Sequence, residues 1–214
     1  NHELVPNMKN IDPEILKFTT RDQKMVYSVP YMICAGGIGY NKDKIKEIEE
    51  SWTVFDRQDL KGRMTLLNDM RETLGGALKL LGYSLNTTNE KELMEAKDVV
   101  IRWKKNIAKM AVEEAKMGLG SGEFLLVHYY NGDIFQVTQE KKEIAFFLPK
   151  EGFSITSDDM VIPKSAGQVA LAHQFIDFLH RPEICAKNMK HTRYFSPNRE
   201  AKKHLDPEFV ANSA

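Results

Sequence analysis

The chain reads as an α/β fold built on a mixed, largely parallel sheet flanked by helices. Two observations predict it. Short apolar runs alternate along the chain with amphipathic helical patterns instead of segregating into an all-strand and an all-helix half. With 214 residues and 42% hydrophobic content, the chain can also bury the core that one large or two small domains require.

The elements follow in order. Apolar runs predict strands at Val26–Met32 and Gly37–Asn41, separated by the Cys34-Ala35-Gly36 stretch, and a third at Met64–Leu67. A helix is expected over Met70–Leu81. Asp69 stands at its N-cap and Glu72 three residues later, the layout of a capping box. A long helix is expected over Glu90–Lys116, opened by Thr88 or Asn89 with Glu90 and Glu92 in its first turn. Gly118, Gly120 and Gly122 mark its end, since glycine takes the positive φ of C-caps and tight turns. Further strands are expected at Phe124–His128, Ile144–Leu148 and Met160–Ile162, and helices at Ala166–Leu179 and Pro182–Lys190. In the first of these last helices Leu171, Phe175, Phe178 and Leu179 form an apolar stripe suited to docking on a sheet.

Composition narrows the function. Thirty basic residues balance thirty acidic ones, so no global field favours nucleic acid or an anionic membrane. No apolar run is long enough to span a bilayer, and NHELVPNMKN lacks the layout of a signal peptide, so direct membrane insertion is not expected. Cys34 and Cys185 match no metal or redox spacing. The six histidines include no HExxH pair, and His173 and His180 read as helix-surface residues. No metal or other cofactor is indicated. There is no P-loop, no GxSxG elbow and no GxGxxG after a strand. Arg102-Trp103-Lys104-Lys105 reads as a solvated helix face.

Ligands of open α/β sheets bind beyond the carboxyl ends of the strands. Three stations there carry polar residues. Asp69 and Glu72 follow the MTLL strand, Tyr129, Tyr130, Asn131 and Asp133 follow FLLVH, and Asp158 and Asp159 lie in a loop before MVIP. Carboxylates and aromatic rings with few bases suit an organic cation, which needs ion pairing for its ammonium groups and ring faces for its methylenes. Each residue also has a plainer reading: helix capping for Asp69 and Glu72, a half-buried core ring for Tyr130, and a turn position for Asp158.

The order of several segments adds to this. Asn10-Ile11-Asp12-Pro13, YSVPYMICAGGIGYN (27–41), Ser51-Trp52 leading to Leu60-Lys61-Gly62, LLNDMRETLGGALKLLGYSLNTTN, Tyr130-Asn131-Gly132, PKEGFSITSDDMVIP (149–163), FLHRP and YFSPN together resemble the bacterial periplasmic spermidine/putrescine-binding proteins of polyamine ABC transporters. The resemblance implies a type II periplasmic-binding-protein-like fold, a periplasmic location with lipid anchoring open for the full-length form, and a membrane permease as partner. It matches Asp69 and Glu72 to an acidic pair contacting polyamine nitrogens, Tyr130 to a position usually held by Trp, Asp158 to a central carboxylate and Tyr194 to a site aromatic. Two departures stand out: Thr156 where the family often has Trp, and Arg193 where it has Gly before the Tyr. By the same resemblance the chain looks like a fragment lacking most of the first lobe. Residues 4–158 are then the second lobe with its crossover segments, and residues 159–214 a returning segment of the first lobe with a C-terminal tail.

The expected function is capture of putrescine or spermidine for uptake, without catalysis. A binder of another small cationic or zwitterionic solute on the same fold is the alternative. A hydrolase using Asp69 or Glu72 with Asp158 is a remote one, since no motif supplies a nucleophile or oxyanion donors. A protein-interaction module is a third, resting only on the absent lobe.

Overall fold

The computed structural model describes residues 2–17 and 22–211. Its regular elements are α1 (Pro13–Leu16), β1 (Val29–Asn41), β2 (Met64–Leu67), α2 (Met70–Leu80), α3 (Glu90–Trp103), β3 (Lys109–Ala111), α4 (Glu113–Ser121), β4 (Leu126–Tyr130), α5 (Asn131–Glu140), β5 (Ile144–Phe147), β6 (Ile155–Met160), α6 (Val169–Leu179), α7 (Pro182–Thr192) and α8 (Pro207–Ala211), with short 3-10 turns between them. The chain divides into two compact units, one of residues 35–155 and one combining residues 1–34 with 156–214. Among the described residues no helix is long and apolar enough to cross a membrane.

The 35–155 unit is organised on strands in the order β3-β2-β4-β1-β5, and β6 pairs with β1 off this path. β2 runs parallel to β3 and β4, whereas β1 is antiparallel to both β4 and β5, so the sheet is mixed. Alternation of side chains across the strands separates two cores. One gathers Ile38, Met64, Leu66 and Leu126 under Trp52, Phe55, Trp103 and the buried face of α2 and α3. The other gathers Leu67, Val127 and Tyr129 under Ala115 and Leu119 of α4 and Ile134 of α5. Trp52 and Trp103 are both fully buried and stack with ring centroids 6.3 Å apart.

The structure departs from the sequence pattern at several places. The helix predicted over Glu90–Lys116 stops at Trp103. Asn106 is buried and bonds the Phe55 carbonyl (3.0 Å) and the Gln58 side chain (3.0 Å), and the chain then enters the sheet as β3. Asparagine competes with helical backbone bonding in this way. Gly122 does cap a helix with φ 83°, but that helix is α4, and Gly118 and Gly120 lie inside it. The two strands predicted at Val26–Met32 and Gly37–Asn41 are one strand, β1, because its glycines stay extended and serve close packing instead of a turn. The strand predicted at Phe124–His128 lies two residues further on as β4. Trp103, in the stretch read as a solvated face, is a core residue, while Arg102 pairs with Asp56 at 2.7 Å.

In the other unit, Val5, Met8, Val29 and Ile176 form a small core, joined by Met25, Met160 and Ile162. Asn7 ties α6 to the N-terminal turn through its backbone N–H, which donates to Asp177 Oδ1 at 2.8 Å. A second core packs Cys185, Ala186 and Met189 of α7 against Ala201. His180, expected on a helix surface, is buried between the carbonyls of Ile176 (2.8 Å) and Pro30 (2.9 Å). Burial is tolerated there because the ring N–H has a main-chain acceptor in either tautomer, the Ile176 carbonyl from Nδ1 or the Pro30 carbonyl from Nε2. The stripe predicted to dock α6 is exposed instead, with Leu171 at 59%, Phe175 at 58% and Phe178 at 40%. The helical period is legible, but the core-facing residue of α6 is Ile176, and the stripe stays exposed, with the Arg181 guanidinium 5.4 Å from the Phe178 ring centroid.

Candidate functional site

Within the 35–155 unit, the parallel pairing of β2 with β4 brings Asp69, Glu72 and Tyr130 to the carboxyl ends of both strands. Asp69 has extended backbone angles (φ −133°, ψ 121°) and its Oδ1 accepts the Glu72 N–H at 2.9 Å, so the residue caps α2. Thr73 anchors the same turn, its hydroxyl donating to the Leu67 carbonyl at 2.7 Å. Only half of the expected capping box is built. Instead of reaching back to Asp69, the Glu72 carboxylate accepts a bond from the Ser154 hydroxyl at 2.5 Å.

This carboxylate is the most unusual group of the unit. Glu72 is only 7% exposed. Burial pushes its pKa above the ordinary carboxylate value; the Ser154 hydroxyl pulls the other way, the Asp69 charge raises it further and Arg71 lowers it. Space for it comes from Gly36, directly opposite Tyr130 in the β1–β4 register. A Cβ at Gly36 would lie 2.5 Å from both Glu72 Oε2 and Ser154 Oγ, closer than side chains approach. Gly36 is therefore a floor for a buried carboxylate, whereas Gly37 makes room for Phe146 and Gly39 for Ile134.

Tyr130 is half-buried, caps α5 from a β conformation and meets Tyr129 edge-on with centroids 6.0 Å apart. Its neighbours in the same station have structural work. Asn131 Oδ1 accepts the Ala35 N–H at 3.0 Å, pinning α5 to β1, and Asp133 pairs with Lys116 at 2.8 Å. Burial, with the charges of Asp133 and Glu113, pushes Tyr129 up to about 12.

One buried group was not singled out in the sequence. His128 in β4 is fully buried with neither ring nitrogen hydrogen-bonded, and it meets Trp52 edge-on at 4.9 Å. Burial lowers its pKa from the ordinary 6.5 to about 4, against a smaller upward pull from Asp69. Its signal in the sequence was a polar residue in an otherwise apolar strand, FLLVH.

The other candidates, Thr156, Asp158 and Tyr194, belong to the second unit. Asp158 and Asp159 are not in a loop: they lie on β6, as does Thr156, and Thr156 and Asp158, two residues apart and so on one face, are both exposed. The strand forms because its residues pair with β1, which the polar run ITSDD did not advertise. Asp158 Oδ2 accepts a long contact from the Cys34 thiol at 3.7 Å, while Asp159 takes hydroxyl bonds from Ser28 (2.8 Å) and Ser157 (2.6 Å). Tyr194 follows Arg193, which ends α7 in the left-handed region (φ 62°) with its guanidinium 5.1 Å from the Phe209 ring centroid. Ile33, next to Cys34, donates its N–H to the Phe195 carbonyl at 2.8 Å, so the backbone after Tyr194 bridges the stretch of β1 that Asp158 contacts. Among the described residues no cluster of three or more His, Cys, Asp or Glu side chains is placed to hold a metal ion.

Polar groups thus gather at the strand ends of the 35–155 unit, with one carboxylate buried among them. The family model of the bacterial extracellular solute-binding proteins matches residues 1–214, and the chain belongs to that family. Among its relatives, the spermidine/putrescine-binding periplasmic protein of Escherichia coli is 34% identical over 207 residues, covering 96% of this chain and 59% of its own length. A lipoprotein of Treponema pallidum superposes with a TM-score of 0.91 at 35% identity over 96% of this chain and 66% of its own. A spermidine/putrescine ABC transporter substrate-binding protein of Streptococcus pneumoniae does so with a TM-score of 0.85 at 28% identity, over 98% and 64%. The type II periplasmic-binding-protein-like fold is thus established. The chain spans about three fifths of the length of the curated relatives it matches.

Proposed function

We propose that this chain belongs to a periplasmic protein that captures a linear polyamine, putrescine or spermidine, and delivers it to an ABC-transporter permease without chemical change. The observation that carries the reading is the Glu72 carboxylate, held nearly out of water in the first turn of the helix that Asp69 caps, with Tyr130 opposite Gly36 in the adjoining strand register. A carboxylate kept in such a place is costly unless a cation joins it. An alkyl diammonium supplies that cation, and the aromatic ring packs its methylenes.

In this reading Asp158, Thr156 and Tyr194 are further ligand contacts, and residues 4–158 and 159–214 are the second lobe and the returning segment of the first. A lipid anchor in the full-length form fits the lipoprotein relative. A binder of another small cationic solute is the second reading, favoured by Thr156, which offers a hydroxyl where a large ring would pack on methylenes. Calorimetric titration with putrescine, spermidine and a zwitterionic amino acid decides between them. Heat from the diamine or triamine alone supports the first reading, and heat from the amino acid alone supports the second.

A further inference from the structure

Glu72 and Ser154 are far apart in the sequence and meet over Gly36 of β1. Main-chain pairing places the serine: the Gly36 N–H donates to the Ser154 carbonyl at 3.0 Å. The bare Cα of Gly36 then leaves room for Ser154 Oγ and Glu72 Oε2 to meet at 2.5 Å. A hydroxyl bonded to an ionised carboxylate is short and strong, and it favours the charged form over the neutral one. It takes up one oxygen, and a carboxylate retains acceptor capacity for a second partner. Ser154 lies in the stretch PKEGFSITSDD, outside the residues that the sequence singled out as ligand contacts.

We propose that Ser154 is a positioning residue: its hydroxyl holds the buried Glu72 carboxylate in a single orientation and favours its charged form, ready for a cationic ligand. The ligand half of this statement rests on the polyamine reading above; the Ser154–Glu72 half stands on geometry alone. Burial opposes ionisation of Glu72 and the Ser154 bond is the largest influence countering it. Without the hydroxyl, the carboxyl group would hold its proton to higher pH and would have to release it on binding a cation.

The test compares Ser154→Ala and Ser154→Thr with the unaltered protein. The Glu72 carboxyl carbon is titrated by NMR without ligand, and spermidine binding is followed by calorimetry across the same pH range. Ser154→Ala should move the Glu72 midpoint upward and carry the acid limb of spermidine binding with it. Ser154→Thr, which keeps the hydroxyl, should leave both near their original positions. An unchanged Glu72 midpoint in Ser154→Ala would overturn the proposal. A midpoint that rises while the unaltered protein takes up no spermidine at any pH would uphold the positioning bond and sink the polyamine reading instead.

Discussion

Replacing His128 by leucine tests how the core behind the site is held. The imidazole is fully buried, has neither nitrogen bonded, and packs edge-on against Trp52. Leucine keeps a similar volume and removes both the unpaired polar atoms and the titration. At neutral pH the variant should therefore be more stable, by about 1–3 kcal/mol for relief of a buried unsatisfied group. The larger effect is in acid. The folded-state pKa of about 4 lies below the ordinary 6.5, so the unfolded chain binds the proton more readily over that window. Stability linked to His128 is intact above about pH 6.5 and is lost as the pH falls toward 4. At about 1.4 kcal/mol per pH unit, that window corresponds to a loss of about 3 kcal/mol. Urea unfolding followed by tryptophan fluorescence at a series of pH values measures it. Both tryptophans, Trp52 and Trp103, sit in this one core, so the signal reports the 35–155 unit. Other groups titrate alike in both proteins, and the difference between the two stability curves isolates the imidazole. A difference that stays flat between pH 6.5 and 4 would refute the reasoning.

Further outcomes concern the site itself. Gly36→Ala places a methyl 2.5 Å from both Glu72 Oε2 and Ser154 Oγ, and should destabilise the protein by about 1–3 kcal/mol in urea unfolding while weakening spermidine binding; unaltered binding would mean that the carboxylate is not held as described. Glu72→Gln should shift the other way in stability. Because the folded-state pKa of Glu72 is raised, its charge destabilises the fold at pH values above that pKa and the penalty is relieved as the pH falls through it. The amide should thus melt higher near neutral pH yet bind spermidine more weakly, and a lower melting temperature there would contradict the assignment. Asp158→Ala should reduce spermidine affinity by roughly tenfold or more, the scale of a lost charge-assisted bond, and more than alanine at the exposed Lys61 or Lys91. Equal affinities for all three variants would remove Asp158 from the site.

How much of this was legible in the sequence depended on whether the signal was local. β2 and α2 were readable because an apolar run, an N-cap Asp and a following apolar face lie within a few residues of one another, and the structure keeps the cap bond of Asp69. The division of labour between the two acids was not readable. Glu72 turns to Ser154, and that choice depends on Gly36, a residue on another strand. β3 was hidden inside a helical pattern because Asn106 finds its partners on the turn at Phe55 and Gln58, remote in sequence. The apolar period of α6 identified a helix correctly, but periodicity names a face and not its cover. Arg193 shows the reverse case. A departure from the family glycine marks a position that is still left-handed here, with the guanidinium over Phe209 where the glycine would offer no contact.

At the centre stands the buried Glu72 carboxylate as the proposed receiver of a polyamine. Isothermal titration of spermidine and putrescine into the full-length protein and its Glu72→Gln variant measures this directly. Saturable heat with at least one polyamine, abolished or strongly weakened in the variant, is the expected result. A full-length protein that takes up neither polyamine, or one that binds them equally well with and without the Glu72 charge, would contradict it.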